Sequence, residues 1–318
     1  MRQHHTRPDE DAVLAVLGGV PLEKAAQRVP TSALRLAEAV ERYRAAGRAA
    51  LDHPTAGWYQ THITFADYSS AARAFRAYLL PAMQSEAVGA WWFLRKHPCW
   101  RLRVRPALGA PAEEAVEHTV LALDSAVSWG VVKEWRPSLY EPEIIAFGGA
   151  EGMTISERIF HADSAGVLTY DQLTDDPPKG LLDAKATSLS MLTLFLRAAG
   201  LEWAEQGDVW GQVEAKRTLP ADVPLDRVGG LVNPMRQLLT LDPAPALADG
   251  PLRPVAAWVD GMERGGRDLR IVAEANRLGL GLRCVLARHV IFHWNRMGFS
   301  TRQQAIWARA AREAVLGA

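Results

Sequence analysis

The segment Trp100-Arg101-Leu102-Arg103-Val104-Arg105 alternates apolar and cationic side chains with a period of two residues. Successive side chains of a β-strand point to opposite faces, so this alternation predicts a strand with Leu102 and Val104 on a core. Arg101, Arg103 and Arg105 then share the other face at about 7 Å spacing. The segment therefore requires a sheet with one cationic face.

The rest of the chain predicts an α+β fold. Strand-like segments are WYQTHITF, WWFLRK and VVKEW, and helical patterns cover 69–83, 112–129, 185–205, 268–277, 284–297 and the residues after Ser300, where Ser300 and Gln303 have capping-box spacing. The Pro- and Gly-rich span 219–254 predicts a long loop. Because strands and helices mix without a regular βαβ period, we expect a mixed sheet with packed helices.

Residues 1–52 predict a small helical N-terminal extension, ahead of a main domain at 53–318. Three short helices in this span, the third capped by Thr31 or Ser32, resemble a helix-turn-helix unit. The third helix interleaves arginines with Glu38 and Glu41, which favours a packing or docking appendage over a DNA-binding unit.

Composition narrows the function classes. Lys+Arg and Asp+Glu both number 36, which argues against a general nucleic-acid or membrane-surface binder but permits a local basic pocket. The two cysteines, Cys99 and Cys284, predict no disulfide framework and a cytoplasmic setting. The sequence contains no P-loop and no GxGxxG motif, so we expect no cofactor.

The three arginines of the alternating segment allow two interpretations. An Arg row suits carboxylate or phosphate binding because each guanidinium can form a bidentate pair. The alternative is a solvated edge strand paired with nearby glutamates.

His289 and His293 lie four residues apart, so on a helix they share one face, with Arg296 close behind. The intervening Val-Ile-Phe lacks the glutamate of an HExxH motif, and no third ligand is evident, so we predict no metal site. One of the two histidines is a candidate general acid or base, and a hydrogen-bonded core histidine is the alternative for each.

Two further motifs lie in the middle of the chain. Tyr140-Glu141-Pro142-Glu143 leads to Gly148-Gly149, which predicts a tight turn beside a cleft. The segment Phe160-His161-Ala162-Asp163-Ser164 carries hydrolase-type residues without a GxSxG elbow, so a helix cap at Asp163-Ser164 is the favoured interpretation.

In order along the chain, several segments resemble the thiopeptide-type bacteriocin biosynthesis family, which is related to the C-terminal elimination domain of class I lantibiotic dehydratases. They are WFLRK (92–96), WRLR (100–103), YEPE (140–143) with FGG (147–149), FHADS (160–164) and HVIFHWNRMG (289–298). The resemblance runs from about Trp58 to the C-terminus.

The resemblance implies glutamate elimination. In the family, a separate tRNA-dependent enzyme esterifies Ser or Thr of a ribosomally synthesised precursor peptide with glutamate, and the elimination domain removes it to leave a dehydroamino acid. Arg101, Arg103 and a late histidine match the family's catalytic residues. His293 is the first choice because it adjoins Asn295-Arg296, with His289 the alternative. The expected substrate-binding residues are Arg95, Arg105, Tyr140, Glu143, Asn295 and Arg296.

The chain departs from the family at Ala146-Phe147-Gly148-Gly149, where full-length dehydratases carry an arginine in an ERYGG segment. One carboxylate-binding arginine is therefore missing unless Arg95 or Arg105 replaces it. This departure leaves open two alternatives: a [4+2] pyridine synthase of thiopeptide maturation, and a non-catalytic scaffold that binds the leader peptide.

Overall fold

The computed structural model describes residues 8–52 and 57–317, except for the side chains of residues 8–10 and 45–52. The chain divides into two compact units, Met1–Ala56 and Gly57–Ala318. The domain boundary predicted after residue 52 falls at residues 53–56, which lie outside the described residues.

The N-terminal unit consists of three helices, α1 (Pro8–Leu17), α2 (Leu22–Ala26) and α3 (Ala33–Asp52), which confirms the predicted helical extension. Its small core is formed by Ala12, Val13, Ala25, Leu36 and Val40. The hydroxyl of Ser32 accepts a hydrogen bond from the backbone N–H of Arg35 (3.3 Å) at the start of α3, as an N-terminal cap does.

The second unit begins with a four-stranded sheet of β1 (Tyr59–Phe65), β2 (Val88–Lys96), β3 (Cys99–Pro106) and β4 (Val132–Ser138), in the order β2-β3-β1-β4. The α+β class is confirmed, but all strand pairs are antiparallel, where the sequence predicted a mixed sheet. The short turn at His97-Pro98 reverses the chain between β2 and β3, and β3 then separates β2 from β1.

One face of this sheet is apolar. It is covered by α4 (Ala71–Ala74), a π-helical turn (Phe75–Leu79), α5 (Leu80–Met83) and α6 (Ala112–Ser128). The Phe75 ring packs against the rings of Trp91, Phe93 and Trp100 at centroid distances of 5.6–5.8 Å. With strands and helices in the sequence βαββαβ, residues 59–138 form a ferredoxin-like arrangement.

The remaining helices are α7 (Ala150–Leu173), α8 (Ala184–Ala198), α9 (Trp203–Lys216), α10 (Leu225–Leu239), α11 (Pro243–Ala248), α12 (Ala256–Glu274), α13 (Leu282–Met297) and α14 (Thr301–Leu316), with 3₁₀ turns at Ile145–Phe147 and Arg253–Val255. The predicted capping box at Ser300 and Gln303 is confirmed at the start of α14. Within residues 8–52 and 57–317, no helix has the length and apolar character needed to span a membrane.

Two sequence predictions about these helices were wrong. The span 219–254 is not a long loop, because it contains α10 and α11. The prolines of these helices lie at Pro224 before α10, at Pro234 inside it, and at Pro243 and Pro245 in α11. The helix predicted at 185–205 is two helices, separated at Gly200, whose φ of 82° ends α8.

Helices α7 and α13 pack along the outer strand β2 and bind its backbone at Trp91 and Phe93. The N–H of Phe93 donates to the Ser164 hydroxyl (3.1 Å), and Nε of Arg296 donates to the Phe93 carbonyl oxygen (3.0 Å). Nδ1 of His161 lies 2.8 Å from the carbonyl oxygen of Trp91. Asp163 and Ser164 are therefore not a helix cap: they lie in the interior of α7, where this motif covers the sheet edge.

Candidate active site

A cavity of about 150 Å³ lies against the cationic face of the sheet, between β2, β3, α7 and α13. Its walls include the aromatic rings of Trp92, Phe147, Phe160 and Phe292. It is small compared with pockets for drug-sized ligands, which measure roughly 300–1,000 Å³. The cavity therefore suits a small group at the end of a longer substrate.

The buried guanidinium of Arg103 is the central polar group of this cavity. Only 6% of Arg103 is exposed, and its carbon Cζ lies 4.0 Å from the ring centroid of Trp92 and 5.2 Å from that of Tyr140. Nε and Nη1 of Arg103 have no hydrogen-bond partner among the described residues. Burial lowers the pKa of Arg103 to about 10, so the group is still a cation at neutral pH. A buried cation with free donors favours an anionic ligand.

The cavity carries an excess of positive charge. Five of its lining side chains are cationic (Lys96, Arg101, Arg103, Arg217 and Arg288) and two are acidic (Glu141 and Glu143). Both acidic side chains are more exposed than Arg103, as is Lys96, so they lie where the cavity opens to solvent. The molecule has no net charge, and this local concentration therefore marks a site for an anion.

Tyr140 contributes to the cavity and to the structure behind it. Its hydroxyl donates to Oε1 of the buried Glu157 at 3.3 Å. Burial and then the carboxylate of Glu157 raise the pKa of Tyr140, and burial raises the pKa of Glu157. Tyr140 is therefore a neutral phenol that fixes one side of the Arg103 guanidinium.

Helix α13 presents two different faces. Arg288, Ile291, Phe292 and Asn295 follow the spacing i, i+3, i+4, i+7 and line the cavity. The histidines lie on a neighbouring face, at i+1 and i+5 from Arg288, and are not among the lining residues. The structure thus brings Arg101, Arg103, Tyr140, Glu143 and Asn295 together and places both histidines and Arg296 behind the cavity wall.

His289 is enclosed by aromatic rings behind the cavity. Its ring centroid lies 5.1 Å from that of Phe147 and 5.4 Å from that of Phe160, and both phenylalanines separate it from the cavity. The Ser156 hydroxyl donates to the Gly152 carbonyl oxygen, so its oxygen accepts from Nε2 of His289 at 3.0 Å. Burial and then Arg296 lower the pKa of His289 to about 3, and the ring is neutral. Its position is that of a core histidine.

His293 belongs to a buried polar network. Its Nδ1 lies 2.8 Å from Oδ1 of Asp163, and its Nε2 lies 2.8 Å from the Ser188 hydroxyl. This is the order of a Ser-His-Asp triad, but none of the three residues is more than 1% exposed, so a substrate cannot reach the serine. Neither histidine is placed to transfer a proton in the cavity.

Asp163 is the centre of that network. Besides His293, it accepts hydrogen bonds from Nε1 of Trp258 (2.9 Å) and from Arg296. Burial alone would raise the pKa of Asp163, but His293 and Arg296 outweigh it and the net pKa is lowered. Since Arg296 also binds the backbone of β2, the network fixes α7 and α13 to the sheet.

Two arginines expected in the site lie elsewhere. Arg95 stacks over Trp100 (4.7 Å), which belongs to the apolar side of the sheet. Arg105 stacks over Trp58 (5.2 Å) and is not a lining residue. The predicted turn at Gly148-Gly149 does adjoin the cavity, with φ angles of 82° and 97°, immediately after the lining residue Phe147.

Sequence reasoning missed three polar residues around the site. Arg217 follows α9, Arg288 is on α13, and neither belongs to a motif. His62 on β1 is directly opposite Arg101 on β3, so both side chains point from the cationic face, about 5 Å apart at Cβ. Burial and then Arg101 lower the pKa of His62. This histidine comes to lie beside the arginine row through the pairing register of β1 with β3, for which the sequence carries no local signal.

A larger cleft of about 660 Å³ lies at the start of α13. Its charged side chains largely neutralise one another, since Arg283 pairs with Asp208 and Arg270 pairs with Glu274. The smaller cavity, in which a buried cation is left without a partner among the described residues, is therefore the stronger candidate for a reactive site.

A family model described as "Lantibiotic biosynthesis dehydratase C-term" matches residues 58–315. The chain belongs to this family. The match covers the whole second unit except for its ends, including the sheet, α7 and α13, and it confirms the relationship predicted from the sequence motifs. No curated protein matches the chain.

Solved structures share the fold of this family member. They include the tRNA-dependent lantibiotic dehydratase MibB from Microbispora sp. 107891 (17% identity, TM-score 0.59), the pyridine synthase TbtD from thiomuracin biosynthesis (13%, 0.54) and TsrL (15%, 0.53). The alignments cover 82%, 81% and 80% of this chain and 28%, 97% and 93% of the three proteins. The chain thus spans little more than a quarter of MibB and nearly all of TbtD and TsrL.

Proposed function

We propose that this family member eliminates glutamate from glutamylated Ser or Thr of a ribosomally synthesised precursor peptide. The observation that supports this proposal is the buried Arg103, whose donors lack partners among the described residues, in a cavity rich in cations. β-Elimination from the ester expels its acyloxy group as a carboxylate, and a preformed cation at the point where this negative charge develops lowers the barrier. A separate tRNA-dependent enzyme would supply the glutamyl ester.

The proposed step is a β-elimination in which atoms and electrons balance without a further reactant. A base removes the α-proton of the esterified residue, and the C–H electron pair is first held as an enolate. That pair then forms the Cα–Cβ double bond while the Cβ–O bond breaks and its electrons leave with glutamate as a carboxylate. Arg103 and Arg101 bind the departing carboxylate. The neutral phenol of Tyr140 holds Arg103 in place.

His62 is our candidate for the proton acceptor in place of His289 or His293. It does not line the cavity itself, but it is half-buried on the sheet face that carries the lining residue Arg101. Burial and then Arg101 lower its pKa and so favour the neutral ring. A neutral imidazole can take up a proton, and the cations beside it stabilise the enolate as it forms.

A second candidate function is a [4+2] pyridine synthase, a different reaction class on the same fold. The observation that favours it is that no histidine is among the described residues that line the cavity. The absence of the family arginine from the segment Ala146-Phe147-Gly148-Gly149 also favours the pyridine synthase. The pyridine synthase would act on a peptide that already contains two dehydroalanines.

One experiment separates the two reactions. The purified protein is incubated with a glutamylated precursor peptide and, in parallel, with a matched peptide that contains dehydroalanines, and the products are identified by mass spectrometry. We expect release of free glutamate from the first peptide and no change in the second. If the dehydroalanine peptide is cyclised and the glutamylated peptide stays intact, the protein is a pyridine synthase and the proposed elimination is wrong.

The role of His62 is tested through the pH profile. His62→Gln keeps a polar side chain but removes the base, so we expect glutamate release to fall about a hundredfold or more and to lose the ionisation of an imidazole from its pH profile. A His62→Gln variant with the wild-type rate and pH profile would remove His62 from the mechanism.

A further inference from the structure

The helical side of the cavity contains a second group of donors, separate from the arginines of β3. Arg288 and Asn295 lie two turns apart on α13, and Arg217 approaches from the end of α9. All three side chains are half-buried. They lie on the cavity wall that the helices form, whereas Arg101 and Arg103 lie on the wall that the sheet forms.

A buried glutamine organises this group. Gln304, which is fully buried, accepts a hydrogen bond from Nε of Arg217 (2.8 Å) through its Oε1. Its Nε2 donates to Oδ1 of Asn295 (3.0 Å) and to the Phe299 carbonyl oxygen (2.8 Å). Because Oδ1 of Asn295 is occupied in this way, its amide NH₂ is the group that remains for a ligand.

The remaining polar groups are therefore donors. Arg217 and Arg288 both line this wall of the cavity, and burial and then the charge of Arg288 lower the pKa of Arg217. Two arginines and an amide NH₂ on one cavity wall are stabilised by an anion that binds among them.

We infer that Arg217, Arg288 and Asn295 form a second anion subsite, which binds the free carboxylate of the leaving group while Arg101 and Arg103 bind the carboxylate that leaves. This inference rests on the proposed elimination. It assigns recognition of the second carboxylate of glutamate to three side chains on the helical side of the cavity, so that the leaving group is held at both ends. A group with a single carboxylate would leave one pair of arginines unmatched.

The subsite is tested by direct binding, without turnover. Glutarate and butyrate, which differ by one carboxylate, are titrated into the intact protein by isothermal calorimetry. We expect glutarate to bind the wild type about tenfold or more tightly than butyrate, as the loss of one charge-assisted interaction predicts. In Arg288→Gln this preference should disappear while butyrate affinity is kept, which also shows that the variant is folded.

Arg283→Gln is the matched control, because Arg283 lies on the same helix but pairs with Asp208. It should retain the wild-type preference. Equal affinities of the wild type for both acids, or an unchanged preference in Arg288→Gln, would overturn the subsite. A wild type that prefers glutarate but releases no glutamate from the glutamylated peptide would contradict the proposed elimination and still support the subsite.

Discussion

At the scale of single residues, this chain buries charge in two contrasting ways. The carboxylate of Asp163 is surrounded by donors, from His293, Arg296 and Trp258, so its burial is compensated within the fold. Arg103 is nearly as buried, but two of its nitrogens have no partner among the described residues. A charge that the fold leaves unpaired is costly, and it indicates a ligand rather than a structural role.

Neutralising Asp163 should destabilise the protein strongly. Asp163→Asn leaves Arg296 as an uncompensated buried cation, so we expect a loss of about 3–5 kcal/mol in the free energy of unfolding, measured by urea denaturation. Asp268→Asn is the control, because Asp268 pairs with Arg158 at the surface and such pairs contribute about 0–1 kcal/mol. Similar losses in the two variants would contradict the network described around Asp163.

The neutral His289 predicts how stability depends on pH. Its folded pKa of about 3 is below the ordinary value of 6.5, so in acid the unfolded chain binds a proton that the folded chain does not. Stability should therefore fall as the pH decreases from about 6.5, with a contribution of about 1.4 kcal/mol per pH unit from this residue. In His289→Gln, the free energy of unfolding should therefore depend less steeply on pH between pH 6 and 4.5, by this amount. An identical slope in both proteins would show that His289 is protonated in the fold.

At the scale of secondary-structure elements, close packing of α7 against α12 supports the cavity wall. An added Cβ at Gly166 on α7 would lie 2.0 Å from Cγ of Trp258 on α12, and one at Gly265 on α12 would lie 2.2 Å from Ile159. Glycines therefore set the distance between these helices, and α7 in turn carries Phe160 to the cavity.

Gly166→Ala should consequently destabilise the protein by about 1–3 kcal/mol, since Trp258 cannot move without disturbing its bond to Asp163. Gly229→Ala is the matched control on α10, where an added Cβ meets no atom within 4 Å. There the higher helix propensity of alanine should stabilise the protein by roughly 0.5–1 kcal/mol. Thermal unfolding of both variants checks the pair, and a stabilised Gly166→Ala would contradict the packing.

At the scale of the whole molecule, the sequence predicted what depends on local pattern. The period of two in Trp100–Arg105 predicted β3 and its cationic face, and Tyr140 and Asn295 were placed with it through the family resemblance. Which face of α13 lines the cavity depends on tertiary packing. The sequence pattern therefore favoured the two histidines as site residues, whereas the structure places Arg288 there. Similarly, His62 reaches the arginine row only through strand pairing, and the contacts of Arg217 come from Gln304, 87 residues later.

The most direct test of the proposed elimination is single-turnover release of glutamate by Arg103→Gln, with the affinity for the glutamylated peptide measured separately. We predict that release falls about a hundredfold or more while the peptide still binds, because the cation acts mainly on the departing carboxylate. Release at the wild-type rate by this variant would show that the buried guanidinium has no part in the reaction and would contradict its central role.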